Sequence, residues 1–477
     1  MTAFLNPLDS AFLLLETPGT AMNIGAVIEL GEGPPSDADP ASLFAIFRDN
    51  IAQRLHEIPV LTQRAVRAPL DLTWPILARD EHFDLDRHVV RVAVPSPGTP
   101  AQFDALVSEF FSRPLSPHRP LWQLIVVEGL ATGRLSLVLK IHHSLADGVS
   151  GAETFANLFD ISPEVRPPTP NTSTLDGPAA TTSLALAREA FARIRENPRR
   201  LLEAVVAWGG RLYEIFRATA AVAAAHTRHR REGGQPTIFE ARSTSLNGTA
   251  GVDKVYQRAQ VSLADVKRAA KHRGASVTDV VLTATGGALR RLLEERGESV
   301  ERDLVAFVPI NVRGDGATAD LGNQISGMLA SLHVDLVDAE ERIRAISRDA
   351  SVTVDEQRRR RAKIFQDVPR VLGPTVISFG GRLISLFDPF RLLPMANVMI
   401  SSVPGPPVPL WLSGHPVVSA SPVGPLFGPF ALNVTALGFE KFLEFGLFAD
   451  AEVVPEVRAL RDYLVAEVED LVAATPT

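Results

Sequence analysis

The sequence contains no cysteine. Disulfides, thiolate nucleophiles and Cys-ligated zinc are thereby excluded, and the composition fits a reducing compartment such as the cytoplasm. It also has no excess of positive charge. Its 48 Lys and Arg residues against 55 Asp and Glu leave a net charge of −7, so the electrostatic footprint of a nucleic-acid partner is missing. No secretory signal is legible, because MTAFLNPLDSAFLLLE has no basic start and Asp9 interrupts its apolar part. The longest stretch free of Asp, Glu, Lys and Arg, Leu392 to Phe439, carries nine prolines, a load that a membrane-spanning helix does not tolerate. Phosphate-loop and dinucleotide fingerprints are missing too, as is an internal repeat of fixed period.

What is present is an ordinary globular composition, 45% hydrophobic and 22% charged over 477 residues. That length favours two domains of about 200 residues each. Three blocks follow. Residues 1–162 mix short apolar runs with helical patterns. Residues 163–242 begin with the Pro/Thr/Ser-rich PEVRPPTPNTSTLDGPAATTS and continue as an amphipathic helical connector from Leu184 to about Arg231. Its apolar stripe is Leu184, Ala187, Phe191 and Ile194, continued by Leu201, Val205, Trp208, Leu212 and Ile215. Its other face carries Arg199, Arg200, Glu203, Arg211, Glu214 and Arg217. This connector either packs between domains or meets an anionic lipid surface. Residues 243–477 form the last block. There TDVVLTATGGALRRLLEERG predicts a helix with Thr278 as N-cap, Asp279 in the first turn and Gly297 just past the end. A closing helix is expected from Glu456 to about Ala473. The expected class is α/β, with two mixed α/β halves joined by the connector.

The informative segment is RLSLVLKIHHSLADGVSGAETFANLF. Leu135 to Ile141 alternate as a strand, with Leu135, Leu137, Leu139, Ile141 and His143 on one parity and Ser136, Val138, Lys140 and His142 on the other. A continued strand would point the two histidines to opposite faces. They would then not converge on a metal, and one of them would act alone. SLADG turns the chain, and a helix is expected from about Val149 to Phe159. A histidine at the mouth of such a turn suits general-base work. Its ordinary pKa of about 6.5 leaves it able to accept a proton at neutral pH, and a hydroxyl needs such a base to become a nucleophile.

HHSLADG, from His142 to Gly148, resembles the active-site motif of the bacterial wax ester synthase/diacylglycerol acyltransferases, members of the CoA-dependent acyltransferase superfamily. LNPLDSAFLLLE, MNIGAV, RPLSPHRPLWQ, VPINVRGD, LGNQISGML and SSVPGPPVPLWLSG resemble family segments in the same order, so the likeness runs through nearly the whole chain. The resemblance implies two chloramphenicol acetyltransferase-like domains, each a mixed sheet with flanking helices, and a tunnel between them. It implies His143 as the base beside His142. Asp147 would make a structural salt bridge for which Arg313 is the candidate partner, and Gly148 would permit the turn. Pro120, Leu121 and Trp122 match a family segment and either line the substrate site or anchor the core. Thr278, Asp279, Asn323 and Ser402 are the further candidates for substrate contact. Three positions depart from the pattern: Met22-Asn23 stands for Met-His, Thr278-Asp279 for Asn-Asp, and Ser401-Ser402 for Ser-Asn.

The implied reaction takes acyl-CoA as donor and diacylglycerol or a fatty alcohol as acceptor, with no resident cofactor, no metal and no nucleic acid. Peripheral contact with the inner membrane face or lipid bodies is expected. Arg358 to Arg361 would touch CoA phosphates or anionic lipid, or else form a solvated helix face. Two alternatives stay open: a related acyltransferase with another alcohol acceptor or a carrier-protein thioester donor, and a noncatalytic lipid-binding protein on the same fold.

Overall fold

The alternating apolar runs pair into two six-stranded mixed sheets. In this computed structural model the described residues are 4–33, 40–145, 157–167, 181–196, 240–311, 325–352 and 394–476, apart from 18, 249, 407, 427 and 429, together with 236, 369, 372–383, 386–387 and 391. The helices are α1 (Pro7–Leu15), α2 (Pro40–Arg54), α3 (Pro100–Ser112), α4 (Ser183–Glu196), α5 (Leu263–His272), α6 (Val277–Glu295), α7 (Ala339–Val352) and α8 (Val457–Ala473). Strands β1 (Asn23–Leu30), β2 (Gln63–Val66), β3 (Ile76–Arg79), β4 (Val89–Ala93), β5 (Trp122–Glu128) and β6 (Ser136–His142) come from the first part of the chain. Strands β7 (Lys254–Ser262), β8 (Val305–Asn311), β9 (Ile325–Ser331), β10 (Val398–Val403), β11 (Trp411–Leu412), β12 (His415–Val423), β13 (Leu432–Phe439) and β14 (Phe442–Asp450) come from the second.

The first sheet runs β11-β12-β1-β6-β5-β4 and the second β7-β14-β13-β10-β8-β9. β4 pairs parallel with β5, and β10 pairs parallel with β13 and β8; the other neighbours are antiparallel. Both sheets are therefore mixed, in keeping with the α/β class read from the sequence. The division into consecutive blocks at residue 243 needs correction. β11 and β12 leave the second half and complete the first sheet, where β12 pairs with β1 from Gly25 opposite Val423 to Leu30 opposite Val417. Without them β1 would be an open edge with unpaired backbone groups.

Strand alternation gives the first sheet two faces. Leu137, Leu139 and Ile141 pack with Ile28, Phe47 and Trp122. Val138 packs on the other side with Val27, Phe103 and Phe111, and with Tyr256 and Phe448 from β7 and β14. That second layer is where the halves join. A separate core packs α6 and α8 against β8, β10, β13 and β14.

Two helix readings change. α6 is capped by Ser276, whose hydroxyl accepts from Asp279 N–H at 3.1 Å while the Asp279 carboxylate accepts from Ser276 N–H at 2.8 Å. Thr278 is thus not the N-cap, because this capping box starts the helix earlier. In α4, Leu186 and Ala187 are buried whereas Leu184 and Phe191 are 57% and 61% exposed, so of the stripe counted from Leu184 only Ala187 is on the packed face among the residues whose side chains are described. The rest of the expected connector, including Trp208, and most of the expected helix from Val149 lie outside the described residues. Among the described residues no helix is long and apolar enough to cross a membrane.

Candidate active site

β6 carries the two histidines to the end of the first sheet. The backbone N–H of His142 donates to the Leu121 carbonyl at 2.9 Å, and that of His143 donates to the Met22 carbonyl at 2.7 Å. These bonds go to opposite neighbours, so the chain is held on both sides as it leaves the strand. The strand itself stops at His142, and His143 opens a single 3-10 turn, His143–Leu145. The alternation that predicted opposite directions for the two rings therefore ends one residue too early to orient His143.

His142 is fully buried. Its Nδ1 accepts from Ser144 N–H at 3.1 Å and lies 2.7 Å from Ser144 Oγ. The hydrogen-bond network thus assigns the proton of the neutral ring to Nε2, which faces Glu16 Oε2 at 3.6 Å. The His143 ring lies against Phe12 of α1, with centroids 4.3 Å apart. It keeps partial exposure. Burial pushes its pKa down from 6.5 to about 4, and the neighbouring His142 adds to the lowering against a backbone hydrogen bond that raises it. His143 is therefore uncharged at neutral pH.

β1 supplies the next layer. Asn23 stands directly opposite His142 and is 2% exposed. Two residues on, Gly25 permits close packing: a Cβ there would lie 1.9 Å from the Leu139 carbonyl oxygen and 2.7 Å from Phe111 Cζ. Lys140 shares the strand face of His142 and donates to the Phe110 and Arg113 carbonyls at 2.6 and 2.9 Å, closing the C-terminal end of α3. Burial pushes its ammonium down to about 7, with Arg113 adding to the effect.

The other candidates fall in several places. Trp122 is buried, donates from Nε1 to the Leu61 carbonyl at 2.7 Å, and stacks on His88 at 4.7 Å. It anchors the core, while Leu121 holds the backbone of His142. The Pro120 carbonyl accepts from Trp122 N–H at 2.9 Å and starts β5. Asp279 is engaged in the cap of its own helix, and Thr278 is half-buried beside it. Ser402 is half-buried in β10, opposite Ala436. Asp147, Gly148, Arg313 and Asn323 lie outside the described residues, as does the run from Arg358 to Arg361.

A model of the wax ester synthase/diacylglycerol acyltransferase catalytic domain matches residues 5–281, and one of the C-terminal domain of the same proteins matches residues 321–471. The chain belongs to the wax ester synthase/diacylglycerol acyltransferase family. A probable diacylglycerol O-acyltransferase of Mycobacterium tuberculosis, tgs1, is 30% identical over 484 residues, which cover 98% of this chain and 95% of that one. The solved wax ester synthase/diacylglycerol acyltransferase from Marinobacter aquaeolei is 25% identical with a TM-score of 0.67, over 99% of this chain and 100% of that one. The first condensation domain of the calcium-dependent antibiotic synthetase, at 17% identity and a TM-score of 0.58 over 100% and 98% of the two chains, shares the fold.

Within this family member, the segments that carried the resemblance meet at the end of β6. LNPLDSAFLLLE supplies α1 with Phe12 and Glu16, MNIGAV supplies Met22 and Asn23, and PLW supplies Leu121. Sequence reasoning named none of Phe12, Glu16, Gly25 or Ser144 as site residues. Asn23 had been noted only as a departure, yet it carried a signal, a polar residue opening the strand NIGAVIEL, whose only other polar side chain is Glu29.

Proposed function

We propose that this chain is an acyl-CoA-dependent O-acyltransferase that forms triacylglycerol from diacylglycerol or a wax ester from a fatty alcohol, with His143 as general base. What supports this most directly is His143 at the end of β6, partly exposed against Phe12, with a pKa that burial lowers to about 4. The neutral ring takes the hydroxyl proton as the alcohol oxygen bonds to the thioester carbon. The carbonyl becomes a tetrahedral oxyanion, whose charge offsets that of the new imidazolium. The C–S bond then breaks, the carbonyl reforms, and the imidazolium returns its proton to the departing CoA thiolate. No acyl-enzyme is required, and acyl-CoA enters as substrate with no resident cofactor. His142, tied through Nδ1 to Ser144, holds the turn in which His143 sits.

Diacylglycerol and long-chain acyl groups reside in lipid phases, so the reading includes peripheral contact with the cytoplasmic membrane face or lipid bodies. Exposed Phe379, Leu386 and Phe387, at 62%, 76% and 78% exposure, favour such contact. The test is to offer purified protein palmitoyl-CoA with diacylglycerol, hexadecanol and short alcohols, measuring free thiol and separating the products by thin-layer chromatography. Thiol release coupled to triacylglycerol or wax ester is expected. Absence of ester product with every alcohol would overturn the reading.

A further inference from the structure

Asn23 and His142 face each other across β1 and β6. The bond from His143 N–H to the Met22 carbonyl falls at the adjacent step, which makes Asn23–His142 a non-hydrogen-bonded pair, the kind whose side chains approach most closely. Asn23 is 2% exposed, and among the described residues neither its Oδ1 nor its Nδ2 has a hydrogen-bond partner. Nε2 of the fully buried His142 is also without a hydrogen bond, Glu16 standing off at 3.6 Å. Native proteins rarely leave buried amides unpaired. Further along the same face Val27 is completely buried in an apolar cluster, and the one other polar side chain, Glu29, is paired with Arg258, so among the described residues Asn23 alone stands unmatched there. Three unpaired polar atoms on neighbouring side chains, one residue from the base, form a complement to a polar group that arrives with a ligand.

The chemistry of the three atoms narrows that group. Asn23 offers one donor group and one acceptor, and His142 adds a donor. Ester and thioester carbonyls are acceptors only, and the acceptor hydroxyl is committed to His143. The pantetheine arm of acyl-CoA carries amides, which present N–H and C=O together, and the nearer amide lies two carbons from the sulfur. We propose that Asn23 and Nε2 of His142 form the subsite that hydrogen-bonds this nearer pantetheine amide, so that Asn23 positions the donor thioester over His143. The inference rests on the acyl-CoA reading above, and it makes Asn23 a positioning residue outside the proton transfer.

The full-length protein and its Asn23→Leu and Asn23→Ala variants are to be compared on S-palmitoyl-N-acetylcysteamine, which keeps the nearer amide, and on S-pentyl thiopalmitate, which lacks it. Wild type is expected to prefer the amide-bearing thioester by about 10- to 30-fold in kcat/KM, the worth of two hydrogen bonds. The variants should lose most of that preference, with KM for palmitoyl-CoA raised more than kcat is lowered and the same loss with hexadecanol and with diacylglycerol. Asn23→Leu should melt no lower than wild type, because replacing an unpaired buried amide with an apolar group removes a desolvation cost; a purely structural asparagine would lower it. Retention of the wild-type preference in both variants, or a loss confined to one acceptor, would overturn the proposal.

Calorimetric binding of palmitoyl-CoA without any alcohol gives the independent arm. About tenfold weaker binding by the variants is expected, and equal affinity overturns the subsite. Wild type that binds palmitoyl-CoA but acylates no alcohol would sink the transferase reading and leave this comparison to decide the subsite. Wild type that does not bind it would remove both.

Discussion

Acidification separates a buried base from an ordinary one. His143 is lowered from 6.5 to about 4, chiefly by burial. At pH 5.5 an imidazole with a pKa of 6.5 is about one-tenth unprotonated, whereas one at about 4 is almost wholly so. The two cases therefore differ about tenfold in active base at that pH. The assay is the rate at palmitoyl-CoA and hexadecanol both well below their KM values, between pH 4 and 8, which reports the free enzyme, with circular dichroism at each pH to confirm folding. A plateau extending down to about pH 5, with the fall centred near 4, is expected. An acidic limb centred between 6 and 7 would refute the argument from burial. Stability should move in a linked way. In the unfolded chain this histidine takes up its proton near 6.5, and in the folded chain only near 4. Between those values the unfolded state holds more protons, so stability rises with pH across the window and is lost as pH falls through it. The full effect is on the order of 3 kcal/mol, and His143→Gln should show a correspondingly shallower loss by urea denaturation.

Four substitutions probe other parts of the argument. His143→Ala should lower turnover by roughly 100- to 10,000-fold with unchanged circular dichroism; a folded variant keeping more than about a tenth of the rate would remove His143 as base. Gly25→Ala should cost about 3 kcal/mol or more, since its Cβ would lie 1.9 Å from the Leu139 carbonyl oxygen, and a wild-type urea midpoint would show that β1 can shift. Ser276→Ala should cost about 1 kcal/mol through loss of the α6 cap, and Thr278→Ala within about 0.5 kcal/mol; thermal melts in the reverse order would return the cap to Thr278.

What could be read from the sequence was local. The alternation from Leu135 to Ile141 located β6 to within a residue, and the pattern after Glu456 located α8, because each follows from a repeat along the chain itself. The cap of α6 was also legible, since Ser276 and Asp279 have capping-box spacing, but Thr278, an equally good N-cap type two residues on, was taken in its place. Leu184 and Phe191 misled because α4 packs through Leu186 onto the β2–β3 hairpin, a phase that counting apolar residues could not choose. Of the arrangement around the end of β6, only the placement of the two histidines there was legible. That Asn23 lies opposite His142, and Phe12 over His143, depends on pairing between segments more than 100 residues apart. The return of β12 to β1 spans nearly 400 residues, and no local pattern encodes it.

That return has a consequence for biosynthesis. When His142 leaves the ribosome, β1 still lacks one of its two neighbours, and β12 begins about 270 residues later. At ordinary elongation rates the nascent sheet would wait roughly 15 to 55 s with a long apolar edge open. A truncated message ending anywhere between residues 148 and 415 would therefore encode the entire His142–Gly148 motif on an unfinished sheet, a product for chaperones and proteases to handle and not a smaller enzyme.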